Sequence, residues 1–424
     1  MNKREDSEGM IIGVEDSRVE CKYGADCFQK NPEHHRKYKH PISNKENDEK
    51  ESNSSMKRKS PDNEGSSSSE LSRNKKQNVS SNLEGSLNAA KAENECAKDT
   101  EDTYSDARQL ILEIFLVSMP NDFYRFYNFC RELKPNEPST AFKIVDIKLV
   151  GPYDVLNGLI TKSTPKQSSL LTHWRYYYDP PEFQTILKGN DKEGLHFGYW
   201  RDRPSGEPVF VASNSCNVNC KIKPVAENIF GAIALYMEER IKKANPFEKT
   251  SYFNLLGKIK AYATKHNISL QAKTPKMSSR EKNVVARTIH GAGIVCPYNK
   301  KSQLGYRELS VSDSQLLKIV KKIDDAKSDE DRLEPRTELG EVVRLATIAG
   351  DECDFGTCLE LGHDLLSTGC TYVQNAALLV LSIAYNQLER QAFLKIVEEH
   401  MKNRKKGCNT AALPDILPKK STVL

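Results

Sequence analysis

The 424-residue chain predicts a multidomain protein: a small Cys/His module, a disordered linker, an α+β domain and then an all-α helical domain. Three observations carry that reading. Four potential metal ligands crowd into residues 21–40. From residue 43 to 103 the composition shifts to Ser, Asn, Lys and Glu, with no sustained apolar period. Beyond that, aromatic and β-branched runs give way near residue 245 to apolar residues at helical spacing.

The first module is read from CKYGADCFQKNPEHHRKYKHP, which sets Cys21, Cys27, His34 and His40 at C-x5-C-x6-H-x5-H. Two thiolates and two imidazoles suit a tetrahedral Zn²⁺, and so short a segment cannot bury a core without one. Residues 18–42 are therefore predicted to be a small Zn finger. The bland alternative is chance clustering, and His35 is a competing ligand. A DNA-reading finger needs about twelve residues between its Cys and His pairs, so a major-groove reader is not expected.

Residues 43–103 are predicted to be a disordered linker. It contains MKRKS (56–60) and RNKKQ (73–77), two basic clusters spaced as in a bipartite nuclear import signal; the alternative is a solvated tract with chance lysines. Residues 104–244 are predicted as the α+β domain. LILEIF and NDFYRFYNFCREL read as helices, with Asn121 or Asp122 placed to cap the second. FKIVDIKLVG, HWRYYYD, LHFGYWRD and PVFVAS read as strands, and PVAENIFGAIALYMEERIKKA as a helix. A bridging helix and irregular segment follow over 245–305, then a helical domain over 306–404 built from five amphipathic segments, and a flexible tail over 405–424.

Charge and cysteine usage exclude several classes. Lys plus Arg is 63 against 58 for Asp plus Glu, and a net +5 is too mild to indicate a nucleic-acid coating protein. The N-terminus lacks the apolar stretch of a signal peptide and no run reaches a membrane span, so a soluble intracellular protein is expected, with no membrane partner. Eleven cysteines in mostly apolar or helical settings suit reduced thiols. HGAG (290–293) lacks phosphate-loop spacing, His290 reads as a turn or interface residue, and Cys216 and Cys220 as structural. RYYYD with PPEFQ reads as a packing cluster.

AGDECDFG (349–356) concentrates three acids around one cysteine. Asp354 could cap the next helix. The run lacks the convergent oxygen ligands of a metal cage, and an acidic docking patch or a general base remain open.

With Tyr23-Gly24 between the cysteines and His40-Pro41 at its end, the finger resembles the poly(ADP-ribose)-binding PBZ module. That resemblance implies poly(ADP-ribose) as ligand, Tyr23 and Phe28 as its aromatic contacts, and Gln29 where an arginine is common. HWRYYYDPPEFQTIL (173–187), TIHGAGIVCP (288–297), LGYREL (304–309) and GDECDFGTCLELG (350–362) together resemble the histone PARylation factor family across residues 106–403. The resemblance implies an accessory protein, not an enzyme alone, whose helical domain docks on the catalytic domain of a DNA-damage-activated poly(ADP-ribose) polymerase. The joint site then modifies serine on histones. It implies Glu352 as the catalytic carboxylate, Arg307 as its partner, and Tyr306, Asp351 and Asp354 at the partner interface. NAD would be bound by the polymerase, the chain would be monomeric alone, and its place would be nuclear chromatin at damage sites. A base at Glu352 fits the chemistry, because a serine hydroxyl is a poor nucleophile until deprotonated. The competing reading is a non-catalytic polymer reader or scaffold that recruits repair proteins.

Overall fold

The computed structural model describes residues 18–22, 24, 27, 32–40 and 103–413. These fall in two units, 1–75 and 76–424, each described by itself. Tyr23, Phe28, Gln29, the linker up to residue 102 with both basic clusters, and residues 414–424 lie outside the described residues.

In the first unit, β1 (Val19–Glu20) pairs in parallel with β2 (Tyr38–Lys39), which directly follows helix α1 (Pro32–Lys37). Cys21 N–H extends the pairing by donating to Lys39 O at 3.0 Å. Two-residue strands and a six-residue helix cannot supply a hydrophobic core, and Cys21 is the only residue of this unit among the described buried apolar ones. Convergence of the Cys and His side chains takes that role.

The second unit opens with α2 (Ser105–Phe115) and α3 (Asn121–Leu133). Phe123, Phe126, Tyr127 and Cys130 recur at helical spacing and bury one face of α3. Asn121 and Asp122 do not cap it: Pro120 holds the N-cap position. Asn121 instead accepts from Arg108 at 2.7 Å, and Asp122 accepts from the Tyr199 hydroxyl and the Ile229 amide at 2.7 and 2.9 Å, pinning α3 to the sheet and to the helix after it.

The sheet is an antiparallel meander: β3 (Lys148–Leu149), β4 (Phe183–Lys188), β5 (Leu195–Trp200), β6 (Phe210–Ser215) and β7 (Lys223–Ala226). Trp200 lies opposite both Phe183 and Phe210. Gly198 lets β4 approach, since a Cβ there would sit 2.6 Å from Gln184 O. A one-turn helix, α4 (Tyr153–Leu156), precedes β4.

Two strand expectations and one helix boundary change. Within FKIVDIKLVG only Lys148–Leu149 is a strand, because Lys143–Val145 form a 3-10 turn and Asp146 is left-handed at φ 60°. HWRYYYD forms turns, broken by Trp174 at φ 58°. PVA completes β7, and the helix begins only after Asn228, whose side chain accepts from Gly231 N–H.

That helix, α5 (Ile229–Lys243), packs along α6 (Pro246–Lys265), which a capping box of Asn245 and Glu248 starts. Short α7 (Pro275–Glu281) leads into an irregular run to residue 312. Then come α8 (Asp313–Asp325), α9 (Asp329–Asp351), α10 (Phe355–Thr368), α11 (Gln374–Gln387) and α12 (Gln391–Asn403). Every residue from Phe355 to Ser367 is buried, so α10 is the central helix. Among the described residues no helix is long and apolar enough to cross a membrane, and the described cysteines are free thiols.

A buried polar network joins sheet to helices. Glu182 accepts from the Tyr385 hydroxyl at 3.0 Å and meets His363 Nε2 at 3.3 Å, and His363 Nδ1 meets His290 Nε2 at 3.1 Å. Tyr177 donates to Gly369 O at 2.8 Å. The aromatic cluster thus packs as a bolt across the unit. Residues 405–413 also return to the body, where the sequence led us to expect a flexible tail: Trp174 N–H donates to Thr410 O at 3.0 Å and Ala412 N–H to His173 Nδ1 at 2.9 Å.

Candidate functional site

In the finger unit, the tight turn that Gly24 closes at φ 49°, with its N–H bonded to Cys21 O, swings the chain back toward Cys27. Helix α1 presents His34, and His40 follows β2. One donor atom from each of Cys21, Cys27, His34 and His40 lies within 4.8 Å of the others. His34 Nε2 is 3.6 Å from Cys21 Sγ, 3.4 Å from Cys27 Sγ and 3.2 Å from His40 Nε2. The edges of a Zn²⁺ tetrahedron with two S and two N ligands run about 3.3–3.8 Å, so both donor set and spacing fit that ion. His34 is the helix α1 histidine that lies in this cluster.

In the second unit, the end of α9 places the acids of 351–354. Cys353 N–H donates to Gly350 O at 3.0 Å and Asp354 N–H to Ala349 O at 2.8 Å. This pairing closes a helix through one left-handed residue, a place usually given to glycine. Here Cys353 fills it at φ 75° with its side chain fully buried. Burying Cys353 turns Glu352 outward and Asp354 inward: the side chains are 37% and 5% exposed. Asp351, the last residue of α9, is exposed beside Glu352.

Asp354 sits at the N-cap position of α10, but its carboxylate does not cap the helix. It accepts from Gly305 N–H at 2.9 Å and from Arg307 Nε at 2.9 Å. The strand-like pass of 305–307 is fixed further by Gly356 N–H donating to Gly305 O, and by Thr357, whose hydroxyl donates to Arg307 O and accepts from Arg307 N–H. Gly305 has φ 109°, and a Cβ there would collide with Pro297 O.

Arg307 Nη2 bridges Glu352 Oε2 at 2.6 Å and Asp354 Oδ2 at 2.7 Å. Partial burial works against its charge, and the bonds from Glu352 and then Asp354 outweigh it, so its pKa is raised. Two predicted residues separated by 45 positions are thereby joined. Tyr306 is half-buried, its ring edge-on to Tyr298 with centroids 6.1 Å apart.

Sequence reasoning missed what stands behind Tyr306. Its hydroxyl donates to Glu360, which burial pushes up to about 7 against the pull of that bond. One turn on, Asp364 is likewise pushed up to about 7 by burial, although the Ile289 amide donates to it at 2.6 Å. The available signal was the presence of acids in a segment, GTCLELGHDLLS, otherwise apolar enough to be central.

Residues 106–404 match the family described as Histone PARylation factor 1, and residues 18–42 match the PBZ domain. Histone PARylation factor 1 of Mus musculus is 42% identical over 306 residues, which span 72% of this chain and 88% of the mouse protein. The relatives of the same name from Bos taurus and Danio rerio are 39% and 37% identical, over 88% and 90% of their lengths. Identity and coverage of this order establish that the chain belongs to the histone PARylation factor family, with a PBZ domain ahead of the family body.

Proposed function

We propose that the chain is an accessory factor of a DNA-damage-activated poly(ADP-ribose) polymerase and completes a joint active site that directs ADP-ribosylation to serine on histones. The single observation that best supports this is the placement of Glu352: an outward carboxylate at a helix end, bonded to the Arg307 guanidinium, which is itself half-exposed. A partner that draws Arg307 to its own acidic surface frees Glu352 to accept the serine proton. NAD belongs to the polymerase; this chain supplies the base and its positioning. Tyr306, Arg307 and Asp351 form the docking surface, where Tyr and Arg commonly anchor binding; Asp354, expected there too, is buried and instead holds Arg307 from behind.

The finger, holding Zn²⁺ through Cys21, Cys27, His34 and His40, would bind poly(ADP-ribose) with Tyr23 and Phe28 as stacking faces and Gln29 beside them. Its role is to bring the factor to polymer already made on nuclear chromatin.

The test is reconstitution with polymerase, NAD and histone. Tyr306→Ala and Arg307→Ala are expected to raise the concentration of factor needed for half-maximal serine modification at least about tenfold, as for anchor residues. Serine modification that is independent of the factor would reduce it to a polymer reader or scaffold.

A further inference from the structure

Apart from the Arg307 and Glu352 surface, a cavity of about 350 Å³ opens where the 3-10 turn Ser168–Thr172, the last turn of α12 and residues 409–412 meet. Its polar lining includes Ser169, Arg175, His400, Asn403, Lys405 and Thr410, and among the described residues no Asp or Glu lines it. Arg175 and His400 are only 5% and 2% exposed. Arg175 Nη1 is anchored on the carbonyls of Pro180 and Phe183, at 2.7 and 2.9 Å, while its Nε has no partner among the described residues. His400 has the Asp179 carbonyl beside its ring, and the hydroxyls of Ser169 and Thr410 have no partner among the described residues. Buried polar atoms are nearly always paired, and a cluster that is not requires an explanation.

The groups around the cavity share the capacity to donate: the Arg175 Nε–H, whose neighbour Nη2 already meets Gln184 Oε1, one nitrogen of the neutral His400 ring, which burial keeps uncharged, the two hydroxyls and the exposed Lys405 ammonium. Asp179 and Glu182, whose charges support that of Arg175, have hydrogen bonds to Thr185 and His196, and to Tyr385 and His363, respectively, and none to its guanidinium. We propose that this cavity binds a small organic phosphate, a phosphate monoester carried on a sugar-sized polar body. A terminal phosphate offers three strong acceptor oxygens to such a donor set. The volume leaves room beyond a bare phosphate for a hydroxylated body that Asn403 and the hydroxyls can meet.

Ribose 5-phosphate titrated into the full chain by calorimetry is expected to bind at one site with Kd below about 1 mM, and ribose at matched ionic strength is expected to give no saturable heat. Lys405→Ala combined with Thr410→Val, both at the rim and clear of the Arg175 anchor, is expected to weaken binding at least about tenfold. Its ligand-free Tm should stay within about 2 °C of the parent. Binding unchanged in that double variant would put the ligand elsewhere, the finger included, and overturn the assignment. Absence of saturable heat up to about 10 mM would mean a cavity that holds only water, and would overturn it equally.

Discussion

Asp354 carries more of the site than its neighbours. Its one carboxylate accepts from the Gly305 amide and from Arg307, so it sets the path of 305–307 and the reach of the guanidinium toward Glu352. Asp354→Ala leaves the Gly305 N–H without its acceptor in a buried place and is expected to cost about 1–3 kcal/mol, measured by denaturant unfolding. Asp354→Asn, which keeps an acceptor, should cost less. Stability unchanged in the alanine variant would remove Asp354 from this role. Arg307, Asp351, Glu352 and Asp354 stood out by residue type and resemblance. The division of labour was not: an acid just before a helix reads as a cap, and only the left-handed turn at Cys353 decides that Asp354 points inward while Glu352 points out.

At the scale of elements, the helices of 313–403 were legible because α8, α11 and α12 have an apolar stripe at 3.6 spacing between polar breaks, and α10 is a mostly apolar run bounded in the same way. The hidden parts were those where tertiary contacts override local preference. HWRYYYD has strand composition, yet left-handed Trp174 and buried partners in distant helices make it a bolt. Asp122 looked like a cap and is a cross-link between α3, β5 and α5. Helix α10 was found, but its buried acids set a pH dependence that periodicity does not reveal. Glu360 stands at about 7 in the folded chain against an ordinary 4.5, so the folded state keeps its proton where the unfolded chain has released it. Its contribution is fully present below about 4.5 and is lost as pH rises through about 7. The stability difference between the parent and Glu360→Gln is expected to change by an amount on the order of 2 kcal/mol between pH 4.5 and 8, with the variant gaining as pH rises. A difference that is flat across that range would show that Glu360 is not held protonated.

For the whole molecule, the finger and the body are separate units with separate chemistry. Cys27→Ala removes one of four ligands and is expected to abolish zinc retention, measured by metal analysis, together with polymer binding, while serine modification of histone by polymerase and the body's Tm stay unchanged. Loss of serine modification in that variant would tie the finger to catalysis. The central claim rests on one carboxylate, and one substitution tests it most directly. Glu352→Gln is nearly isosteric and can still accept a hydrogen bond from Arg307, but it cannot take a proton from a serine hydroxyl. Serine modification is measured with polymerase, NAD and histone at saturating variant. With polymerase binding retained, the rate is expected to fall about 10²–10⁴-fold, while modification of acidic acceptors, which need no base, persists. Near-normal serine modification by the saturating Glu352→Gln variant would contradict the claim and return the acids of 351–354 to a docking surface.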